Sequence, residues 1–153
     1  MRKKVRGQPG FTLIEVLVVV AIIVILLAIA IPAVMGALDN ARHNTDAKYE
    51  RAAAALANGL LQTNSLPKGE GSASTTLQYL YDPESGKLVL WKSGSMDLTP
   101  YPPYGQCRKA EHNHTGKRLW VQVQTESGKI DLLWAEKLGG TTEPNWNTGL
   151  CDP

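Results

Sequence analysis

Val16 to Ile31 is an unbroken run of sixteen apolar residues, and between Phe11 and Ile31 the only ionisable side chain is that of Glu15. Extended by Phe11–Glu15 on one side and Pro32–Leu38 on the other, the segment can cross about 30 Å of hydrocarbon as a helix. The pattern then turns amphipathic without a loop signal. Val34, Leu38, Ala41, Thr45, Tyr49, Ala52, Leu56 and Leu60 recur at helical spacings, with Asp39, Arg42, Asp46, Lys48, Glu50 and Arg51 between them. The first set predicts a packing face and the second a solvent face, and Ala52–Ala55 favours helix strongly. One helix from Phe11 to Gln62 would be about 78 Å long at 1.5 Å per residue. Its second half is therefore expected outside the bilayer, packed on a globular part. Pro32, followed by Gly36, marks the expected kink.

Beyond the helix the period changes. Asn64–Thr76 is polar and rich in Gly, Ser and Thr, which predicts a loop. Two hairpins follow. Thr75–Tyr81 and Lys87–Trp91 flank Asp82-Pro83-Glu84-Ser85-Gly86, and Leu119–Gln124 and Ile130–Trp134 flank Glu126-Ser127-Gly128-Lys129. Leu119, Val121 and Val123 alternate with polar or amphipathic neighbours, as in a half-buried strand. Gly94–His114, with three prolines, reads as a long loop between the hairpins. Four strands would make an antiparallel sheet able to cover the helix.

Charge orients the apolar segment. Met1–Gly10 carries Arg2, Lys3, Lys4 and Arg6 and no acid, so it is expected to stay cytoplasmic while the rest crosses. The whole chain has 16 basic and 14 acidic residues, and without Met1–Gly10 the balance is 12 against 14. No basic stripe lies beyond the first ten residues, which argues against nucleic-acid binding. Glu15 is the anomaly. A carboxylate at the centre of a membrane helix costs roughly 2.5–3.5 kcal/mol on insertion scales. Even nearer the end, such a group calls for a function and a partner. An ordinary signal peptide, cut near residues 28–37, would explain neither Glu15 nor the preceding glycine.

Gly10-Phe11-Thr12-Leu13-Ile14-Glu15 resembles the class III signal of type IV pilins and type II secretion pseudopilins. The resemblance covers about the first forty residues. It implies cleavage between Gly10 and Phe11 by a prepilin peptidase, with N-methylation of Phe11, and it matches Pro32, where the family commonly carries a helix-kinking proline. It also gives Glu15 a partner: the new α-amino group of Phe11 on a neighbouring subunit. Each would offset the other's desolvation in an apolar filament core. Pairing within one helix is the alternative, since the two groups are four residues apart.

The fold implied is α+β, a pilin fold. It comprises a cleaved basic leader (1–10), a membrane and assembly half of the helix (11–38), an amphipathic half (39–62) and a globular β domain (63–153). Cys107 and Cys151, both on the side expected to be oxidising, would form a disulfide closing the C-terminal region, as in many pilins. Two separate buried thiols is the alternative.

Candidate chemistry is sparse. Glu111-His112-Asn113-His114 lacks zinc-site spacing and a convincing third ligand, so it reads as a solvated loop. Asp82 and Glu84 read as turn residues. Gly139–Pro153 has only Glu143 and Asp152 as acids, too few for a calcium cage. No catalytic residue, metal site or cofactor is expected. The function implied is that of a structural subunit, precursor in the inner membrane and then in a homo-oligomeric surface filament, with the prepilin peptidase and a pilus assembly platform as partners. A secretion pseudopilin is one alternative, and a membrane-anchored binding protein or enzyme another. Gly10→Val is expected to block processing, because a branched side chain crowds a peptidase site shaped for glycine. Intact-mass analysis of the membrane fraction checks this; a Gly10→Val protein that still begins at Phe11 would contradict it.

Overall fold

The structure, a computed structural model, describes residues 10–68, 75–91, 96–110, 112–138 and 146–151. It divides into two units, Met1–Leu38 and Asp39–Pro153, each described here by itself. Helix α1 spans Leu13–Gln62. The strands are β1 (Thr76–Asp82), β2 (Lys87–Leu90), β3 (Arg108–Lys109), β4 (His112–Asn113), β5 (Arg118–Gln124) and β6 (Ile130–Ala135). This is the α+β architecture of the pilin fold: a long N-terminal helix followed by a four-stranded antiparallel sheet.

In the first unit the large apolar side chains from Phe11 to Leu38 are exposed around the whole helix. α1 is long and apolar enough to cross a membrane. It continues through Pro32 as helix, although proline offers no N–H to the carbonyl one turn back. Glu15 is the acidic residue of its first turn.

In the second unit the sheet order is β2-β1-β5-β6, all antiparallel. The two expected hairpins lie side by side, joined by β1 against β5 with Leu77 opposite Val123 and Leu80 opposite Trp120. That register sorts the side chains. Leu77, Tyr79, Tyr81, Leu119, Val121, Val123, Leu132 and Trp134 share one face and pack with Ala53 and Ala57 of α1. Leu80, Trp120 and Leu133 lie on the other, covered by Leu98, Tyr101 and Trp146 among others. Both faces of β5 are therefore covered, which the expected half-buried strand did not include. Gly86 and Gly128 close the hairpins at positive φ, where glycine has no Cβ penalty.

Two expectations are corrected. The segment read as one long loop contains the short β3–β4 ribbon, paired Arg108 with Asn113 and Lys109 with His112. The packing face of α1 includes Tyr49, Leu56 and Leu60 as expected, partly buried against the core, but its most buried residues are others. The buried helix residues are Asp46, Ala47, Glu50, Ala53 and Ala57, whereas Ala41 and Ala52 are exposed. The sheet contributes the bulky groups Tyr79, Tyr81 and Trp134, so the fully buried apolar helix positions are small, Ala53 and Ala57, with Tyr49 and Leu56 partly buried beside them. α1 ends in a Schellman motif: Ser65 N donates to Leu60 O (2.9 Å) and Asn64 N to Leu61 O (3.1 Å), with Asn64 at φ 53°.

Close approach at Ala53 predicts intolerance of volume. Ala53→Leu is expected to lower the unfolding free energy by about 1–3 kcal/mol through overpacking, while Ala52→Leu, on the exposed side, changes it little. Denaturant unfolding followed by tryptophan fluorescence checks the contrast, and equal effects would contradict the assigned face.

Candidate functional site

The expected processing residues sit at the start of α1. Gly10 and Phe11 are exposed, and Gly10 has open space where a Cβ would project. Thr12 caps the helix: its carbonyl accepts from Glu15 N at 3.1 Å and its hydroxyl lies 3.4 Å from the same nitrogen. Thr12-x-x-Glu15 thus has the spacing of a capping box. A carboxylate in the first turn also complements the helix dipole. Glu15 therefore has a local role in addition to any partner on another chain.

A second constellation was not foreseen as a site. Asp46 and Glu50, expected on the solvent face, are buried one turn apart on α1. Asp46 Oδ2 accepts from Cys107 N (2.8 Å) and Gln106 N (3.0 Å) and lies 2.8 Å from His114 Nδ1. Glu50 Oε1 accepts from Trp134 Nε1 (2.7 Å) and Cys151 N (2.9 Å). His114, expected in a solvated loop, is buried and stacks on Trp134 at 4.5 Å and 10°. Its Nε2 is 2.7 Å from the Gly149 carbonyl. Each ring nitrogen thus faces an oxygen acceptor. Asp46 and His114 are thus joined side chain to side chain in a buried contact of 2.8 Å.

Gly105 makes this approach possible, since a Cβ there would stand 2.2 Å from the His114 carbonyl oxygen. The Cys151 sulfur lies 3.8 Å from His114 Nδ1. Cys107 and Cys151 both stand as free thiols. Burial pushes the Cys151 thiol well above its usual range, and the Glu50 carboxylate, Cys107 and Asp46 add to the shift. A thiol so held is neutral and a poor nucleophile. Both Asp46 and Cys151 face the same nitrogen of His114, so the three do not form a relay in which an acid orients the far side of a base.

Other expected groups fall as follows. His112 is half-buried, edge-on to His43 at 5.9 Å, with Nδ1 lacking a partner among the described residues. Asp82 accepts from Glu84 N at 3.1 Å and from the Ser85 hydroxyl, as a turn residue does. The rest of the leader, Glu111, Glu143 and Asp152 lie outside the described residues.

Residues 5–31 match the family described as the prokaryotic N-terminal methylation motif. The amino terminus is a class III prepilin signal. Such a signal is characteristic of type IV pilins, and together with the apolar α1 it is consistent with a membrane-anchored precursor. It marks a pilin-like or pseudopilin-type substrate of prepilin processing. No curated protein and no solved structure matches the chain.

The prepilin signal was legible because it is contiguous; the buried cluster unites positions 46, 50, 107, 114, 134 and 151. The available signal was the line Asp46-Glu50-Ala53-Ala57, two acids continuing a row of alanines. Asp46→Ala is expected to cost about 3–5 kcal/mol, because it leaves the buried His114 Nδ1 and the backbone N–H groups of Gln106 and Cys107 without their partner. Asp39→Ala, which removes the solvent-exposed pair with Arg42, is expected to cost at most about 1 kcal/mol. Denaturant unfolding of the two variants checks the difference, and equal losses would contradict the buried assignment.

Proposed function

We propose that the chain is a pilin, a structural subunit that is cut between Gly10 and Phe11, methylated on Phe11 and polymerised through α1 into a type IV pilus at the cell surface. The observation that carries this reading is a prepilin signal at the head of an exposed apolar helix whose single charge in the apolar run is Glu15. Before assembly the inner membrane covers that helix; in the filament, the helices of other copies replace the lipid. The Phe11 amine produced by cleavage would be buried there, and Glu15 of an adjacent subunit neutralises it. The pair sets the stagger of neighbouring helices more than it adds bulk stability. Pro32 would supply the bend that lets packed helices adjust. Cys107 and Cys151 close a disulfide in the oxidising compartment beyond the membrane and fix the C-terminal segment. A loop of about 45 residues would gain up to about 4 kcal/mol from such a bridge in the chain-entropy model.

The test is co-expression of tagged Glu15→Ala and wild-type subunits, with counting of each in sheared filaments. Glu15→Ala is expected to be made, inserted and cut, yet to be strongly under-represented in the filament. Equal incorporation would contradict intersubunit pairing. The intact mass of the same wild-type material is expected to show loss of residues 1–10, gain of one methyl and two hydrogens fewer than the dithiol. A mass retaining both hydrogens would reject the bridge, and absence of sheared filaments in a piliated host would reject the pilus.

A further inference from the structure

We propose that, while its cysteines are reduced, the chain binds one thiophilic divalent cation of the zinc type through Asp46, His114 and Cys151. One carboxylate oxygen, His114 Nδ1 and Cys151 Sγ all lie within 4.8 Å of one another. The sulfur stands 3.8 Å and Asp46 Oδ2 2.8 Å from Nδ1. Ligand atoms around tetrahedral zinc stand roughly 3.2–3.7 Å apart, given bond lengths of about 2.0–2.3 Å. The cluster thus needs an opening of roughly 0.5 Å between Asp46 and His114 and a slight closing towards sulfur. A mixed carboxylate, imidazole and thiolate set suits zinc or cobalt better than calcium or magnesium.

The surroundings are those of a ligand set. A metal-bound histidine usually donates its other ring N–H to a carbonyl or carboxylate, which fixes its orientation. His114 Nε2 does this to Gly149 at 2.7 Å, leaving Nδ1 aimed at Asp46 and Cys151, and the Trp134 ring fixes its plane. Asp46 is held in turn by the amides of Gln106 and Cys107.

Binding exchanges the thiol proton of Cys151 for a bond from its sulfur to the ion. A Cys107–Cys151 bridge removes the sulfur ligand, so the bridge and the ion are alternative states. The inference does not depend on the filament reading.

The experiment uses the full chain in detergent micelles, stripped with chelator and kept reduced. Cobalt(II) is the optical probe and zinc(II) the calorimetric one. One equivalent of cobalt is expected to bind, with a thiolate-to-cobalt charge-transfer band and the visible bands of a tetrahedral ion. Zinc is expected to displace it, with loss of the charge-transfer band; added to the apo protein instead, zinc releases the Cys151 thiol proton into weak buffer. Cys107→Ser, which cannot bridge but keeps all three ligands, is expected to bind without reductant. Cys151→Ser and His114→Ala are expected to weaken binding at least tenfold, the former without loss of the far-ultraviolet spectrum. Absence of the charge-transfer band in the reduced wild type, or equal zinc affinity in Cys151→Ser, would overturn the proposal.

Discussion

The globular unit depends on two carboxylates that water cannot reach. Burying an ionised carboxylate without partners is prohibitive, so Asp46 and Glu50 have to collect donors from wherever the chain can supply them. Asp46 takes the amides of Gln106 and Cys107 and the ring of His114; Glu50 takes the Trp134 indole and the amide of Cys151. Segments that are distant in sequence and poor in apolar residues are thereby tied to one turn of α1. Hydrogen bonds to charged groups are stronger than neutral ones. They place the end of the described chain against the helix where few apolar contacts could.

The same constraint runs in another form through the first unit. There the helix satisfies its own backbone, and its apolar side chains need a non-aqueous surrounding that the unit does not itself supply. Thr12 and Glu15 finish the amino-terminal turn. One carboxylate can therefore serve the helix end in the membrane and still be available to a new amine. The prepilin signal thus heads a helix whose exposed apolar surface suits lipid.

The elements set by local pattern were legible in the sequence. The hairpins Thr76–Leu90 and Arg118–Ala135 and the helix to Gln62 fall within one or two residues of the periodicity reading, because alternation, turn residues and helical spacing act over short distances. The packing face of α1 was legible in part. A scale of residue polarity brings Tyr49, Leu56 and Leu60 to the core, where they pack partly buried, but it places Asp46 and Glu50 in water. Nor does it show that the sheet's Tyr79, Tyr81 and Trp134 leave the fully buried apolar positions to alanines. His114 was misread likewise, since its partners lie 35 and 68 residues away in sequence. The β3–β4 ribbon, two residues in each strand, is too short for any periodic signal.

Residue-resolved amide hydrogen exchange on the folded chain tests most directly whether the buried carboxylates hold the C-terminal segment on the helix. Exchange from a donor locked on a buried carboxylate requires the unit to open. The amides of Cys107 and Cys151 are expected to exchange as slowly as that of Val121 in the central strand β5. Exchange at the rate of an exposed turn amide such as that of Ser85 would contradict the account.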